Sequence, residues 1–204
     1  MANRTAVDAH TIHGTNPQYL IEKITRGRIY ETLYWKEECF ALTVETLVDK
    51  AVHLNSVGGM YGNQRATPFL CLTLKLLQLQ PEFDIVLEFI RDPEFKYLRA
   101  LGAFYLRLTG KATEIYQHLE PCYADYRKLR VRAFEGDYYV IHMDEFIDQL
   151  LREERVCETA LPFLIKRYTL EENDEIPPYK SPLGELRSPG TGSPGVNSEE
   201  SDSE

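Results

Sequence analysis

The stretch that decides the fold class is residues 58–110, GGMYGNQRATPFLCLTLKLLQLQPEFDIVLEFIRDPEFKYLRALGAFYLRLTG. It opens with a glycine-rich turn and continues through three apolar segments with helical spacing. Thr67-Pro68 predicts the start of the first helix, because Thr can cap a helix and Pro suits its first position. This helix is apolar on most sides, with only a narrow polar line of Cys71, Lys75 and Gln78. Such a helix is a buried one, so we expect it to form the centre of the core.

Further helix signals flank this stretch on both sides. Asn16-Pro17 predicts a helix start, and Gly27 is expected to end or bend that helix. Thr43 can cap a helix that reaches Leu54. A last helix is expected from Arg155 to Tyr168, kinked or split at Pro162. Helical spacing also covers residues 28–40, 112–126 and the segment that follows Asp144.

The spacing of apolar residues changes from helical to alternating after residue 127. Charged and apolar residues alternate in KLRVRA, residues 128–133, and Glu135-Gly136-Asp137 is a turn signal. Residues 138–142 are then rich in residues that favour strands, which predicts a β-hairpin. The sequence therefore indicates a mainly α protein, with a single helical domain over residues 16–170 and one small β-hairpin.

The two ends of the chain differ from this domain. Residues 1–15 lack periodicity and are interpreted as an irregular N-terminal arm. Residues 171–204 are rich in Pro, Gly, Ser and acidic residues, which predicts a disordered acidic tail. The net charge of −9 belongs mostly to this tail, because it holds nine acidic residues against two basic ones. The charge of the whole chain therefore says little about what the domain binds.

Composition disfavours a membrane or secreted protein. No run approaches the roughly 18 apolar residues that a membrane span needs, and the N-terminus has no apolar signal region. The cysteines are widely spaced and form no CxxC pair; they are Cys39, Cys71, Cys122 and Cys157. We interpret them as reduced thiols of a cytosolic or nuclear protein, with a disulfide framework or a zinc site as the minor alternative.

Residue patterns that usually carry catalysis are sparse. His10 and His13 have the spacing of helical metal ligands, but they lie in the arm without a matching pair. His142 stands next to acidic residues, yet a helix start favours acids there in any case. The glycine-rich turn lacks the GK[ST] ending of a phosphate loop. We therefore expect no enzymatic activity, no metal and no cofactor.

The predicted hairpin carries a cluster of basic residues, Arg127, Lys128, Arg130 and Arg132. Three of them alternate onto one strand face, and Tyr138 and Tyr139 follow across the turn. Basic residues beside aromatic ones can hold RNA through phosphate contacts and base stacking. The alternative is a solvated face, or an edge strand protected by its charges.

Two further sets of residues are candidates for binding a partner. The first is aromatic, Tyr30, Tyr34 and Trp35, and such residues anchor interfaces as readily as they fill cores. The second is the glycine-rich turn with Gly58, Gly59 and Tyr61, for which a tight connection between helices is the alternative. In the tail, Ser181, Ser188 and Ser193 each precede a proline and are candidate phosphorylation sites, the alternative being an inert solubilising tail.

Taken together, several long segments resemble the pre-mRNA-splicing factor 38 family. They are HGTNPQYLIEKI (13–24), YWKEECFAL (34–42), GGMYGN (58–63), TPFLCLTLKLLQLQP (67–81), FKYLRALGAFYLRLTG (95–110), MDEFIDQLL (143–151) and residues 155–168. The resemblance covers roughly residues 10–170, and the segments occur in the family's order.

The resemblance implies a mainly helical, non-catalytic spliceosomal protein of the nucleus. Members join at the tri-snRNP stage, are required for spliceosome activation in pre-mRNA splicing, and act as a hub for other splicing proteins. The implied partners are a microfibrillar-associated-like protein, a zinc-finger tri-snRNP protein and the snRNP complex, with direct RNA binding by the hairpin as the alternative function. Some animal members carry a long Arg/Ser-rich extension where this chain has a short acidic tail, so any role of that extension is not carried over.

Overall fold

The computed structural model describes residues 3–6 and 9–180. The predicted disorder of residues 181–204 and the three candidate phosphorylation sites, Ser181, Ser188 and Ser193, therefore lie outside the described residues. Within the described part, the predicted fold class is confirmed: the chain is mainly helical, with a small β-hairpin at the expected place.

Helices account for most of the described chain. In order they are α1 (Lys23–Glu31), α2 (Leu33–Glu37), α3 (Val44–Val52), α4 (Pro68–Leu79), α5 (Phe83–Arg91), α6 (Lys96–Thr109), α7 (Ala112–Leu119), α8 (Met143–Arg152) and α9 (Arg167–Glu172). Two 3₁₀ helices, Pro17–Leu20 and Glu120–Ala124, precede α1 and follow α7.

Three antiparallel strand pairs connect the helices. They are β1 (Met60–Tyr61) with β2 (Arg65–Ala66), β3 (Lys128–Arg132) with β4 (Tyr138–His142), and β5 (Arg155–Val156) with β6 (Thr159–Ala160). The pair of β3 and β4 is the predicted hairpin, with Arg130 opposite Val140. Leu129 and Val131 face the core, while Lys128 and Arg130 are exposed, as the alternation of the sequence predicts.

Helix α4 is the centre of the core, as predicted. Every residue from Phe69 to Gln78 is buried. Thr67 caps the helix, because its hydroxyl accepts from the Leu70 amide at 3.3 Å and donates to the Gly58 carbonyl at 2.6 Å. The ring of Phe69 lies 5.6 Å from that of Phe104 on α6 and 6.5 Å from that of Phe146 on α8. Aromatic packing thus joins α6 and α8 to α4.

The N-terminal arm packs over the polar line of α4. The Ala6 amide donates to the Gln78 carbonyl at 2.9 Å, and the Trp35 indole donates to the Asn3 side chain at 3.1 Å. The buried side chain of Gln18 accepts from Gln78 at 3.1 Å and from the Tyr30 hydroxyl at 2.9 Å. The described part of the arm thus supplies polar partners to the Gln78 carbonyl and to the buried Trp35 indole.

Two boundary predictions are wrong. Gly27 neither ends nor bends a helix, because α1 runs through it to Glu31. No helix spans residues 155–168; β5 and β6 occupy its first half and α9 begins only at Arg167. Cys157 and Glu158 both have positive φ angles, 49° and 58°, which reverse the chain between the two strands and exclude a right-handed helix there. The packed chain also extends past residue 170, where we expected the tail, since Ile176 is buried.

The glycine-rich turn is wedged between two other strand pairs. The Val57 amide donates to the Arg130 carbonyl at 2.9 Å, which attaches the turn to β3. A Cβ on Gly58 would lie 2.9 Å from the Arg132 carbonyl oxygen, and a Cβ on Gly59 would overlap the carbonyl group of Cys157. Both glycines are buried. They are therefore needed for the close approach of three backbone segments.

Asp125 fixes the start of the hairpin. Its carboxylate accepts from Arg99 at 2.6 Å and from Arg127 at 2.7 Å, and Arg127 also donates to the Pro93 carbonyl at 2.6 Å. Burial alone would raise the pKa of Asp125, but the hydrogen bonds from Arg127 and Arg99 outweigh burial and lower this pKa to about 2. The charged form of Asp125 therefore stabilises the fold.

We expect Gly59→Ala to lower the free energy of unfolding by about 2–4 kcal/mol, because the added methyl group must displace backbone. Gly27→Ala is the matched control, since a Cβ there meets nothing within 4 Å. It should raise the free energy of unfolding by about 0.5–1 kcal/mol, the helical advantage of Ala over Gly. Urea denaturation monitored by circular dichroism measures both. Equal stability of the two variants would contradict the wedged position of the turn.

We expect Asp125→Asn to lower the free energy of unfolding by about 2 kcal/mol at pH 7. Because the folded pKa is below the unfolded one, this stabilisation is complete above about pH 4 and is lost as the pH falls towards 2. The gap between variant and parent should therefore close over that range in urea titrations. Glu88→Gln, which removes an exposed ion pair to Arg91 at 3.8 Å, should change little at any pH.

Candidate protein-binding surface

Tyr34 lies between two clefts on the surface of the helical domain. One cleft, of about 400 Å³, separates Tyr34 from Lys50 and His53 at the end of α3. The other, of about 460 Å³, lies between α2 and the β1–β2 turn with Tyr61. Tyr34 and Pro68 line both clefts. A single aromatic ring therefore forms the ridge between two pockets that could receive side chains of a partner.

The ring of Tyr34 is half-buried against the core. No described residue accepts a hydrogen bond from its hydroxyl, and burial raises the pKa of Tyr34, which keeps the phenol neutral. Leu33, beside it, is 70% exposed and lines the second cleft. The exposed Leu33 side chain next to the half-buried Tyr34 ring gives this ridge an apolar contact.

Arginines of the hairpin stack on tyrosines next to these clefts. The Arg132 guanidinium lies 4.0 Å from the ring centre of Tyr61 and 4.7 Å from that of Tyr138. The Arg130 guanidinium lies 4.6 Å from the same Tyr138 ring, and its Nε donates to the Asn55 carbonyl at 3.1 Å. Asn55 lines the first cleft and Tyr61 the second. The hairpin thus continues the Tyr34 ridge.

We call this continuous surface the Tyr34 face. Its members are Leu33, Tyr34, Asn55, Tyr61, Arg130, Arg132 and Tyr138. Within residues 3–6 and 9–180, neither arginine pairs with a carboxylate, and Arg132 Nε is buried without an acceptor. Stacking on tyrosine holds each guanidinium in place with about 0.5–1 kcal/mol. The face therefore presents two fixed positive charges beside the exposed ring of Tyr138 and the half-buried rings of Tyr34 and Tyr61.

Other residues singled out from the sequence lie elsewhere. Trp35 is only 2% exposed, and Tyr30 packs 5.3 Å from it, so both contribute to the core. Gly58 and Gly59 lie beneath the Tyr34 face as buried connections. Arg127 is engaged by Asp125 and the Pro93 carbonyl, away from Arg130 and Arg132. Lys128 is exposed on the same strand face as Arg130.

The histidines and cysteines have structural surroundings. His13 hydrogen-bonds the Leu108 carbonyl at 3.1 Å, and His142 caps α8, where its amide donates to Glu145 at 2.6 Å. All four cysteines are free. Burial raises the pKa of the Cys71 thiol to about 12, so it carries little thiolate. Among the described residues there is no group of three or more potential metal ligands, and no helix is long and apolar enough to cross a membrane.

A second concave surface had no clear signal in the sequence. Two adjoining cavities flank the 3₁₀ helix Glu120–Ala124: one of about 510 Å³ faces α8, and one of about 670 Å³ faces residues 175–180. Tyrosines 116, 123, 126 and 179 line them. Tyr116, Tyr123 and Tyr126 have helical spacing within residues 112–126, but nothing in the sequence connects them to Tyr179. The nearest available signal was Pro177-Pro178-Tyr179, a rigid apolar segment where we expected disorder.

Comparison with known proteins gives consistent results. The model of the PRP38 family matches residues 10–174. Pre-mRNA-splicing factor 38A of Xenopus laevis is 62% identical over 186 residues, and that of Homo sapiens is 61% identical, each alignment covering 91% of this chain and 60% of the relative. Pre-mRNA-splicing factor 38 of Drosophila melanogaster is 62% identical, with 56% of its length covered. The chain thus spans about 60% of the length of the curated relatives that it matches.

A solved structure has the same fold. The match is to a chain in the crystal structure of the Snu23-Prp38-MFAP1(217-258) complex of Chaetomium thermophilum, with a TM-score of 0.82 and 46% sequence identity. It covers 86% of this chain and 92% of that chain. Sequence and structure therefore agree over nearly all of the helical domain, and the chain belongs to the PRP38 family.

Proposed function

We propose that this chain is a non-catalytic scaffold of the spliceosome, required in the nucleus for pre-mRNA splicing. The observation that carries the proposal is the match, at 46% identity, to a chain from a complex that contains Snu23 and a fragment of MFAP1. The relatives of this chain that are named as splicing factors support the same role. A helical domain that holds two different proteins works through its surfaces.

The partners that we propose are this organism's counterparts of Snu23 and MFAP1. They fit the two protein partners expected from the family resemblance, a zinc-finger tri-snRNP protein and a microfibrillar-associated-like protein. We place the function at spliceosome activation, as part of a snRNP complex, on that resemblance. Some splicing proteins are present at only one stage. A scaffold of this kind holds such proteins together in one relative geometry.

The Tyr34 face is the surface that we assign to one of these partners. Interfaces depend on a few aromatic and arginine side chains near well-packed pockets. Here Tyr34 stands between two clefts, and Arg130 and Arg132 are held by their stacking on tyrosines. Because these groups are already in position, binding costs little side-chain entropy. Acidic side chains of a partner would form ion pairs with the guanidinium groups of Arg130 and Arg132, which have no carboxylate partner among the described residues.

The test is affinity purification from nuclear extract with the full chain and two single variants. The parent chain should recover splicing proteins, including the counterparts of Snu23 and MFAP1. Leu33→Asp, beside Tyr34, should lose about tenfold or more of at least one of them, because it buries a charge at the interface. Ile24→Asp is the matched control, an equally exposed apolar residue of α1 that lines neither cleft.

Two outcomes have separate meanings. If the parent chain recovers no splicing protein, the proposed function is wrong. If the parent chain recovers both partners and the two variants behave alike, the function stands and its assignment to the Tyr34 face is wrong. Thermal melting of both variants shows that neither change has unfolded the domain, as expected for exposed positions.

Direct RNA binding by the hairpin is the second candidate function. The observation that favours it is the pair of guanidinium groups without a carboxylate partner among the described residues. Since Arg127 is occupied by Asp125, only Lys128, Arg130 and Arg132 remain to contact phosphates. Three cations predict a weak contact with a shallow salt dependence.

Replacing both Arg130 and Arg132 by Glu tests this candidate. Binding of a fluorescent single-stranded RNA to the full chain should weaken, and the slope of log affinity against log salt should fall by about 1–2. Arg91→Glu, a change at an exposed arginine on α5, is the control and should bind like the parent. Equal affinity and slope for all three proteins would exclude the hairpin as an RNA site.

A further inference from the structure

The two adjoining cavities near the C-terminal end form one groove. Its walls are the 3₁₀ helix Glu120–Ala124 on one side and, on the other, residues 175–180 in the larger cavity and Asp148, Leu151 and Arg152 of α8 in the smaller one. The cavities, of about 510 and 670 Å³, share the rings of Tyr116, Tyr123 and Tyr179. We name this feature the tyrosine groove. It is separate from the Tyr34 face, since no residue lines both.

Aromatic rings and prolines dominate the lining of the groove. They are Tyr116, Pro121, Tyr123, Tyr126, Pro178 and Tyr179. Tyr126 is 69% exposed and Tyr179 is 49% exposed, so two large rings face solvent at the rim. Flat rings set beside prolines are the surface on which proline rings of a ligand pack well.

The tyrosine hydroxyls divide into two pairs. Tyr116 donates to the Ile165 carbonyl at 3.1 Å and Tyr123 donates to Asp148 at 2.9 Å, which fixes these two rings. The hydroxyls of Tyr126 and Tyr179 have no hydrogen-bond partner within residues 3–6 and 9–180. Two free donors at the rim favour a ligand with unpaired carbonyl oxygens.

Four charged residues that line the groove, Glu120, Asp148, Arg152 and Arg167, are in ion pairs, whereas Lys180 at its end has no carboxylate partner among the described residues. Arg167 is bound by Glu120 and Glu171 and also donates to the Pro177 carbonyl at 3.1 Å. Arg152 pairs with Asp148 at 2.8 Å. A strongly ionic ligand would therefore have to break existing ion pairs. The lining instead suits a ligand that is apolar and carries backbone acceptors.

The groove is formed before any ligand arrives. Leu170 and Ile176 pack with Tyr116 in a second small core, and the Tyr179 amide donates to Glu171 at 3.2 Å. The Arg167 guanidinium lies 5.2 Å from the Tyr179 ring centre and holds it against α9. Because both walls are fixed, a ligand loses little affinity to ordering the protein.

One segment of the chain itself shows which conformation fits this surface. Residues 176–178, Ile-Pro-Pro, line the groove, and Ile176 is buried against Tyr116 and Leu170. A residue before proline is restricted to extended or polyproline II conformations. A polyproline II segment has no internal hydrogen bonds, so its carbonyls are free to accept from tyrosine hydroxyls. A helix, whose carbonyls are already bonded, would leave both hydroxyls unused.

We propose that the tyrosine groove binds a proline-rich, extended segment of a partner protein. The segment lies alongside residues 176–180, its prolines pack on the rings of Tyr123 and Tyr126, and its carbonyls accept from Tyr126 and Tyr179. This site goes beyond the scaffold function proposed above and does not depend on the partners named there.

Fluorescence anisotropy with the full chain tests the site. The probe is a fluorescein-labelled ten-residue polyproline peptide, compared with a Gly/Ser peptide of equal length. We expect the polyproline peptide to bind at least about tenfold more tightly, and Tyr126→Ala to remove about tenfold of that affinity. Tyr126→Phe should lose a smaller part of the affinity for the polyproline peptide, because it removes only the hydrogen bond of the hydroxyl.

Tyr168→Ala is the matched control, because Tyr168 is 58% exposed on α9 but lines neither cavity. Equal binding of the two peptides, or equal loss in Tyr126→Ala and Tyr168→Ala, would overturn the proposal. The tail is the competing occupant, so the full chain with Pro182, Pro189 and Pro194 replaced by Ala is measured too. A tenfold gain in affinity there would show that the tail fills the groove and would overturn its assignment to a partner.

Discussion

The burial of α4 on all sides is the constraint on which the rest of the structure depends. A helix without a solvent-facing side needs apolar neighbours around most of its circumference, and α6 and α8 supply them through Phe104 and Phe146. It also needs partners for its polar line. The Gln78 side chain donates to Gln18, Cys71 lies 3.7 Å from the Thr32 hydroxyl, and the Gln78 carbonyl accepts from the Ala6 amide, which ties the irregular arm to the end of the central helix.

The same constraint explains where binding surfaces can form. The residues around the N-terminus of α4 cannot move outward, because the Thr67 hydroxyl and the buried glycines hold three backbone segments together. Side chains that project from these segments, such as Tyr61 and Arg132, are consequently well fixed. The candidate surfaces are rigid because they extend directly from the core.

The sequence predicted correctly the elements that have a strong periodicity. Its predictions failed where tertiary contacts determine the local conformation. The central helix, its Thr67 cap and the β3–β4 hairpin are confirmed, since each has a local pattern. The helix expected over residues 155–168 is absent because Cys157 and Glu158 adopt positive φ angles, which neither residue type signals. In the candidate site, the sequence treated Arg127 and Arg130 alike. Only the structure shows that Arg127 is paired with Asp125, because the spacing of residues does not reveal such a pair. The tyrosine groove joins Tyr116, Tyr123 and Tyr126 to the distant Tyr179, and no sequence pattern connects Tyr179 to the other three.

Both ends of the described chain contribute to the interior, which changes what counts as the folding unit. Asn3 contacts Trp35, and Ile176 belongs to the second small core, so the unit that folds together is longer at each end than the helices alone suggest. Fragments cut at residues 16 and 170 would expose an indole donor and an apolar groove wall. Any comparison of binding between fragments and the full chain would then report lost folding together with lost contacts.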